Sequence, residues 1–345
     1  MRCLSLALEL KARGAAVGFA MTEALPGFEA TLAAHGIWLN WLTGPAGGRD
    51  DATDVIALAK KLDAKSVVVD GYAFSADYRT RLKTSGLKLL VIDDYGNIGP
   101  YRDEHVLNPN VTSRGLLYRA EDTATFLLGP KYALLRPQFQ SHRAKRGRAR
   151  ARAPRILITA GASDPKNVTA PLIDMLDSLN PIAVTVDVVI GPGFRSPARI
   201  REAVRRSRHS IRVHETPNDM AALMTDADLC ITAAGSTLWE LATLGVPAVA
   251  LLVADNQLFG ARTFVQTGCG FMADARHGLP QASVGAALTR ILGDQCLRRR
   301  MGEAGRRLVD ARGAARVAQL LCDLRSSGSA PVTSEPRRPA GGWSR

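Results

Sequence analysis

Only five cysteines stand among the 345 residues (Cys3, Cys230, Cys269, Cys296 and Cys322), and no two form a C-x-x-C pair. That excludes a zinc ribbon and a disulfide framework, and it fits reduced thiols in a cytoplasmic protein. Aromatic residues make up 6% of the chain and are missing from its basic runs, which argues against a nucleic-acid groove built on base stacking. No stretch of about 18 residues is free of charge, so no membrane-spanning helix is expected. The six histidines (His35, His105, His142, His209, His214 and His277) keep no metal-ligand spacing. A G-x-S-x-G turn, a Walker A loop and a post-strand G-x-G-x-x-G are all missing, which leaves no pointer to a serine nucleophile, ATP hydrolysis or nicotinamide chemistry.

What is present is apolar mass and positive charge. Apolar residues supply 46% of the chain, ample for packed cores, and at about 100–200 residues per domain the length predicts two. The net charge is +13, but it is concentrated. Segment 143–155 has seven basic residues and no acidic one, and segment 195–212 has seven arginines against Glu202, so these two account for the whole excess. The charge therefore marks a basic linker and an Arg-rich helix, and it is no signature of nucleic-acid binding.

Short β-branched runs alternate with helical stretches. Strands are predicted at 16–21, 66–70, 88–93, 155–159, 184–190, 229–232 and 248–252, with helices at 75–85, 168–179, 197–207 and 237–244. Runs such as VVVD and LLVID lack polar alternation, as expected of strands buried on both faces of a parallel sheet. The opening MRCLSLALELKARG superficially suggests a signal peptide, but Glu9 and Lys11 break its apolar run and its phase suits an amphipathic helix. The division expected is an α/β domain over 1–140, a basic linker over 141–154, a second α/β domain over 155–325 and a disordered tail over 326–345.

Three clusters carry candidate chemistry. In ADLCITAAGSTLWELATLGVPAVAL (227–251), a strand leads through Gly235 into a helix opened by Ser236 and Thr237. A helix N-terminus presents free N–H groups and partial positive charge, which suits a diphosphate. Glu240 has two roles open to it: closing a capping box with Thr237, or accepting ribose hydroxyls. In TAGASDPKN (159–167), Gly161 allows close backbone approach, and Ser163 or Asp164 can cap the next helix. In ADNQ (254–257), Asn256 and Gln257 offer paired donors and acceptors for sugar hydroxyls or phosphate oxygens, while Asp255 is either a partner to them or an N-cap. The first domain adds DGY (Asp70–Tyr72), DDY (Asp93–Tyr95) and GPKYALLR, whose Arg136 is either a phosphate partner or a surface charge. Asx turns compete as the role of these aspartates.

Taken in order, MRCLSLALELKARG, VVVDGY, VIDDYG, LLGPKYALLR, ITAGASDPKN, AAGSTLWELATLGVPAVAL and ADNQ resemble the UDP-2,4-diacetamido-2,4,6-trideoxy-β-L-altropyranose hydrolases of pseudaminic acid biosynthesis, over about residues 1 to 272. The resemblance implies an α/β fold of two Rossmann-like domains in the GT-B arrangement, similar to the transferase that adds N-acetylglucosamine to lipid-linked peptidoglycan precursors. It implies a UDP-sugar substrate hydrolysed at the anomeric carbon with inversion, no metal and no cofactor, and neither a nucleic acid nor a membrane as partner. On it, Glu240 contacts the nucleotide, Gly235–Thr237 receive the diphosphate, and Asn256 and Gln257 meet phosphate or sugar. Two further readings follow from the same motifs: a UDP-sugar-dependent glycosyltransferase and a non-catalytic UDP-sugar-binding protein.

One departure concerns the start of the chain. An open parallel sheet of this kind begins with a strand, usually central, whereas this sequence begins inside the first helix. The family places a strand, a Gly-rich turn and its general-base His just ahead of the M-R-C that opens this sequence. The expectation is that Met1 is internal to a longer natural chain, and that a chain starting there hydrolyses its substrate poorly.

Overall fold

Apolar runs that bury both faces set the strands, and the helices between them cover those faces. The computed structural model describes residues 1–25, 27–102, 104–121, 123–145, 154–178 and 184–326. The first half opens with α1 (Arg2–Ala12), β1 (Gly18–Met21), α2 (Phe28–Ala34), β2 (Trp38–Trp41) and α3 (Arg49–Lys61). It continues with β3 (Ser66–Asp70), α4 (Ala76–Thr84), β4 (Lys88–Ile92), β5 (His105–Asn108) and β6 (Thr125–Leu128). After α5 (Pro137–Lys145), the second half starts with β7 (Arg155–Thr159), α6 (Thr169–Ser178), β8 (Thr185–Ile190), α7 (Pro197–Arg206) and β9 (Ser210–Glu215). Then follow α8 (Met220–Asp226), β10 (Leu229–Ala233), α9 (Thr237–Leu244), β11 (Ala248–Leu252), α10 (Leu258–Gln266) and β12 (Gly270–Asp274). Three helices close the chain: α11 (Gln281–Gly293), α12 (Gln295–Leu308) and α13 (Gly313–Ser326).

Every strand pairing is parallel. The second half forms one six-stranded sheet of order β12-β11-β10-β7-β8-β9, whereas the first half holds a four-stranded sheet β3-β4-β5-β6 and a separate pair β1-β2. The seven predicted strands are all present, within two residues at either end. Five more were not read from the sequence: β2, β5, β6, β9 and β12. β2 shows why: this four-residue strand leaves Trp38 and Trp41 about half exposed, so it has no continuous buried run.

One face of the six-stranded sheet packs Ile156, Ile158, Val186 and Val188 against α6, α7 and α11. The other packs Leu157, Cys230, Ala248 and Ala250 against α8, α9, α10 and Phe139 of α5. α5 takes up residues 137–145, including the start of the basic segment, whose residues 146–153 lie outside the described residues. The arginine-rich α7 is laced to acids, Arg201 to Glu215, Arg206 to Asp174, and Arg205 and Arg206 to Glu202.

The last described helix returns to the first half. Ala314, Val317, Ala318 and Leu321 of α13 pack with Leu6 of α1 on Leu90, Ile92, Leu107 and Leu127 of the four-stranded sheet. The return is fixed where Gly313 lies against Ala133, a residue whose carbonyl oxygen would be 2.2 Å from any Cβ placed there. Residues 327–345, which hold nearly all of the expected tail, lie outside the described residues.

Candidate nucleotide-sugar site

The strongest motif folds as its spacing predicts. β10 ends at Ala233, the turn through Gly235 follows, and α9 starts at Thr237. Gly235 donates its N–H to Ala233 at 2.8 Å. It has open space where a side chain would sit, so the fold itself makes no steric demand for glycine there. Gly245 closes the helix in the left-handed region at φ 69°. Behind it, α12 lies backbone to backbone with α9: a methyl at Gly302 would be 2.5 Å from the Gly245 oxygen, and one at Gly305 2.8 Å from that of Ala242. These close contacts hold the helix whose N-terminus carries the candidate turn.

The capping box does not form. The α9 N-cap is Ser236, without a side-chain cap bond, and Glu240 instead faces Arg136, 3.7 Å away. Both side chains are 19% exposed, and among the described residues no hydrogen bond reaches the Glu240 carboxylate. Burial pushes its pKa from 4.5 up to about 7, against the pull of the Arg136 guanidinium and the chain's amino terminus. Burial also raises the Cys230 thiol beneath it, helped by the Glu240 charge. Arg136 is held by its place over the Phe139 ring, 5.3 Å from the centroid.

The second Gly turn follows β7. Gly161 adopts φ 83° in open space, and Asp164 is the cap, accepting from Val168 and Thr169 at 2.9 and 3.1 Å. Ser163 is thereby released from capping and stays exposed on the rim. The hydroxyls of Ser163, Ser236 and Thr237 make no hydrogen bond among the described residues.

The ADNQ cluster forms a short 3₁₀ turn in which the three side chains separate. Asp255 is not an N-cap; it accepts from Arg276 at 2.5 Å and is 87% exposed. Gln257 turns back to accept from Val253 N–H at 3.1 Å, and Asn256 is exposed.

On the first domain, Asp70 and Tyr72 meet Asp94 of the DDY motif together with Arg2 and Asn110, which the sequence did not single out as site residues. Arg2 donates to Asp70 at 2.7 Å and to both oxygens of Asp94 at 2.8 and 2.9 Å. Tyr72 and Asn110 also point to Asp94, and Cys3 donates to Asp70. Burial opposes charge on Arg2 and Asp70, but their mutual pairing outweighs it, keeping the guanidinium charged and the carboxyl ionised. Tyr72, exposed beside Asp94, has its phenol pushed up to about 12 by partial desolvation and by the Asp94 charge. Asp93, by contrast, is wholly absorbed in an Asx turn, accepting from Tyr95, Gly96 and Tyr101. The signal available in the sequence was the paired DD at a strand end, of which one member turns inward and the other faces the rim. The charged amino group of Met1 favours the ionised form of both Asp70 and Glu240.

Two parallel-sheet Rossmann-like domains in succession define a GT-B architecture. Across the chain, the fold matches Acinetobacter baumannii MurG with a TM-score of 0.67 at 16% identity, covering 93% of this chain and 95% of that one. The lipopolysaccharide glycosyltransferase WaaG matches at 0.52, with 95% of each chain covered and 17% identity. Residues 155–312 match the glycosyltransferase family 28 C-terminal domain. Among curated proteins, the chain is 29% identical over 271 residues to the spore coat polysaccharide biosynthesis protein SpsG of Bacillus subtilis, spanning 77% of this chain and 78% of that protein. It is also 33% identical over 141 residues to the Alkalilimnicola ehrlichii UDP-N-acetylglucosamine–N-acetylmuramyl-(pentapeptide) pyrophosphoryl-undecaprenol N-acetylglucosamine transferase, 38% of each chain. Among the described residues no helix is long and apolar enough to cross a membrane.

Proposed function

We propose that the protein binds a UDP-sugar against the N-terminus of α9 and transfers its glycosyl group to an acceptor held on the first domain. The observation that carries this reading is Glu240: a half-buried carboxylate with no hydrogen-bond partner among the described residues, beside Arg136 and the open turn at Gly235. Ribose hydroxyls would satisfy the carboxylate. The diphosphate would rest on the α9 N-terminus near Ser236 and Thr237, with Gly161 and Ser163 on the adjacent rim. As the anomeric C–O bond breaks, charge grows on the leaving diphosphate, where the helix N–H groups and the Arg136 guanidinium are already oriented to stabilise it. Asp70, Tyr72 and Asp94 supply acceptor-side polarity. Asn256 would contact sugar or phosphate, whereas Asp255 and Gln257 are committed to Arg276 and Val253 unless the ADNQ turn re-forms around the donor. The relative named for spore coat polysaccharide biosynthesis is consistent with a polysaccharide precursor as acceptor.

A second reading, with water as acceptor, rests on the motif resemblance to the altropyranose hydrolases. The test is titration of UDP by calorimetry, then UDP release from UDP-N-acetylglucosamine and from the altropyranose UDP-sugar, with and without saccharide or lipid-linked acceptors. Acceptor-dependent release establishes transfer, and acceptor-independent release establishes hydrolysis. Failure to bind UDP would overturn both.

A further inference from the structure

We propose that Tyr101 and Tyr118, with the wholly buried Arg79 packed on Tyr101, are positioning residues for the acceptor side of the reaction, holding the rim carboxylate of Asp94 in place from within the first domain. The inference rests on the reading above, in which Asp94 serves the acceptor. Its starting point is the connection between β4 and β5. Parallel strands are joined by crossovers of a dozen or more residues, usually built on an α-helix whose backbone groups satisfy one another. Residues 93–104 make this crossing with no helix among the described residues. Their backbone groups therefore need partners from elsewhere in the domain.

Arg79 of α4 supplies them. Its guanidinium donates to the Ile98 carbonyl at 2.9 Å, to the Pro100 carbonyl at 2.7 Å and to Glu104 at 3.1 Å. It also lies over the Tyr101 ring, 5.0 Å from the centroid. Glu104 is buried as well, and it accepts from the Arg102 N–H at 3.1 Å, with Lys83 3.5 Å away. A buried ion pair adds little net stability, because both charges give up their water, so it is better suited to fixing one geometry than to strengthening a fold. The geometry fixed here is the path of the connection that begins with Asp93 and Asp94.

Two lines run from this core to Asp94. In the first, the Tyr101 backbone is clamped on both sides, its N–H donating to the Arg119 carbonyl and its own carbonyl accepting from Glu121, each at 2.9 Å. Its ring stands edge-on to Phe126, and its hydroxyl donates to Asp93. Burial and the neighbouring Asp93 raise the phenol, so it stays the donor. Asp93 in turn gathers the N–H groups of Tyr95 and Gly96 at 2.9 and 3.0 Å, which fixes the backbone on both sides of Asp94. In the second line, the Tyr118 ring lies against Tyr101, with centroids 6.2 Å apart, and its hydroxyl accepts from the Asn108 amide at 3.0 Å. Asn108 accepts from the Asn110 N–H at 3.0 Å, and the Asn110 amide donates to Asp94 at 3.3 Å. Both lines end on Asp94, whose side chain is 19% exposed at the rim beside Arg2 and Tyr72.

The test is a double-mutant cycle on Tyr101→Phe and Asp94→Asn, read by UDP release to acceptor or to water, with UDP affinity measured alongside by calorimetry. Tyr101→Phe keeps the ring and removes one hydroxyl, so kcat should fall about tenfold, the scale of a hydrogen bond to a charged group. The dissociation constant for UDP should stay within about twofold, because the donor seat at α9 lies on the other domain. On the Asp94→Asn background the same change should cost no more than about twofold. Losses that add across the cycle, or a Tyr101→Phe protein with unchanged kcat, overturn the proposal. If Tyr101→Phe does not fold, Tyr118→Phe takes its place in the cycle with the same expected lack of additivity. Carboxyl-selective NMR without substrate separates this inference from the reading it rests on: Tyr101→Phe should move or broaden the Asp94 resonance and leave that of Glu240 in place. If the unsubstituted protein releases no UDP, the reaction reading fails, and the Asp94 resonance alone decides the positioning. An unmoved Asp94 signal overturns it.

Discussion

Glu240 is the side chain on which the site turns, and its titration gives a direct prediction. Its folded pKa, about 7, lies above the ordinary 4.5, so the folded state binds the proton more tightly than the unfolded chain does. Stability contributed by the protonated carboxyl is complete below about pH 4.5 and is lost as pH rises through about 7. Glu240→Gln should therefore flatten the decline in melting temperature across that window. The same variant should weaken UDP binding about tenfold or more at neutral pH, the scale of a hydrogen bond to a charged group. Arg136→Met removes the nearest positive charge and should drive the Glu240 titration higher still, as followed by carboxyl-selective NMR.

At the scale of elements, the turn and the helix behind it separate binding from stability. Gly235→Ala places a methyl in open space, so thermal stability should change by less than about 1 kcal/mol while UDP affinity falls at least tenfold as the diphosphate seat narrows. Gly305→Val acts oppositely. Its side chain would collide with the Ala242 carbonyl and lever α12 from α9, costing more than about 2 kcal/mol in denaturant unfolding. How legible these elements were follows their burial. Strands such as β10 and β11, buried along their whole length, were read nearly to the residue, as was α9 between Ser236 and Gly245. β12 and β2 were invisible because half-exposed positions interrupt their apolar runs. The site was legible to the same degree: Gly235 to Glu240 stand together as a local turn and helix, while Arg2, Asp70, Asp94 and Asn110 come together only through tertiary packing, over separations of up to 92 residues. The capping role offered to Glu240 failed because Ser236, rather than Thr237, occupies the cap, moving Glu240 out of capping register.

For the whole molecule, the last helix is structural property of the first domain. Leu321→Ala, 213 residues past the end of β5 at Asn108, should cost about 2–5 kcal/mol and loosen amide protection in β4 and β5 before it affects β10 or β11. A chain cut before Gly313 should behave likewise, because its removal uncovers Leu90, Ile92, Leu107 and Leu127 together.

The paired crossings have a mechanical consequence. The chain passes between domains once near Ala133 to Arg136 and again near Val309 to Gly313, and Gly313 sits against Ala133, so the two passages run side by side. Arg143 of α5, just past the first passage, fastens the start of the second by donating to the carbonyls of Thr243, Arg306 and Val309. Two adjacent passages held in this way tie the domains along one line, about which any rotation of one domain against the other would turn. Sideways sliding, which would misalign donor and acceptor, would have to tear both passages at once.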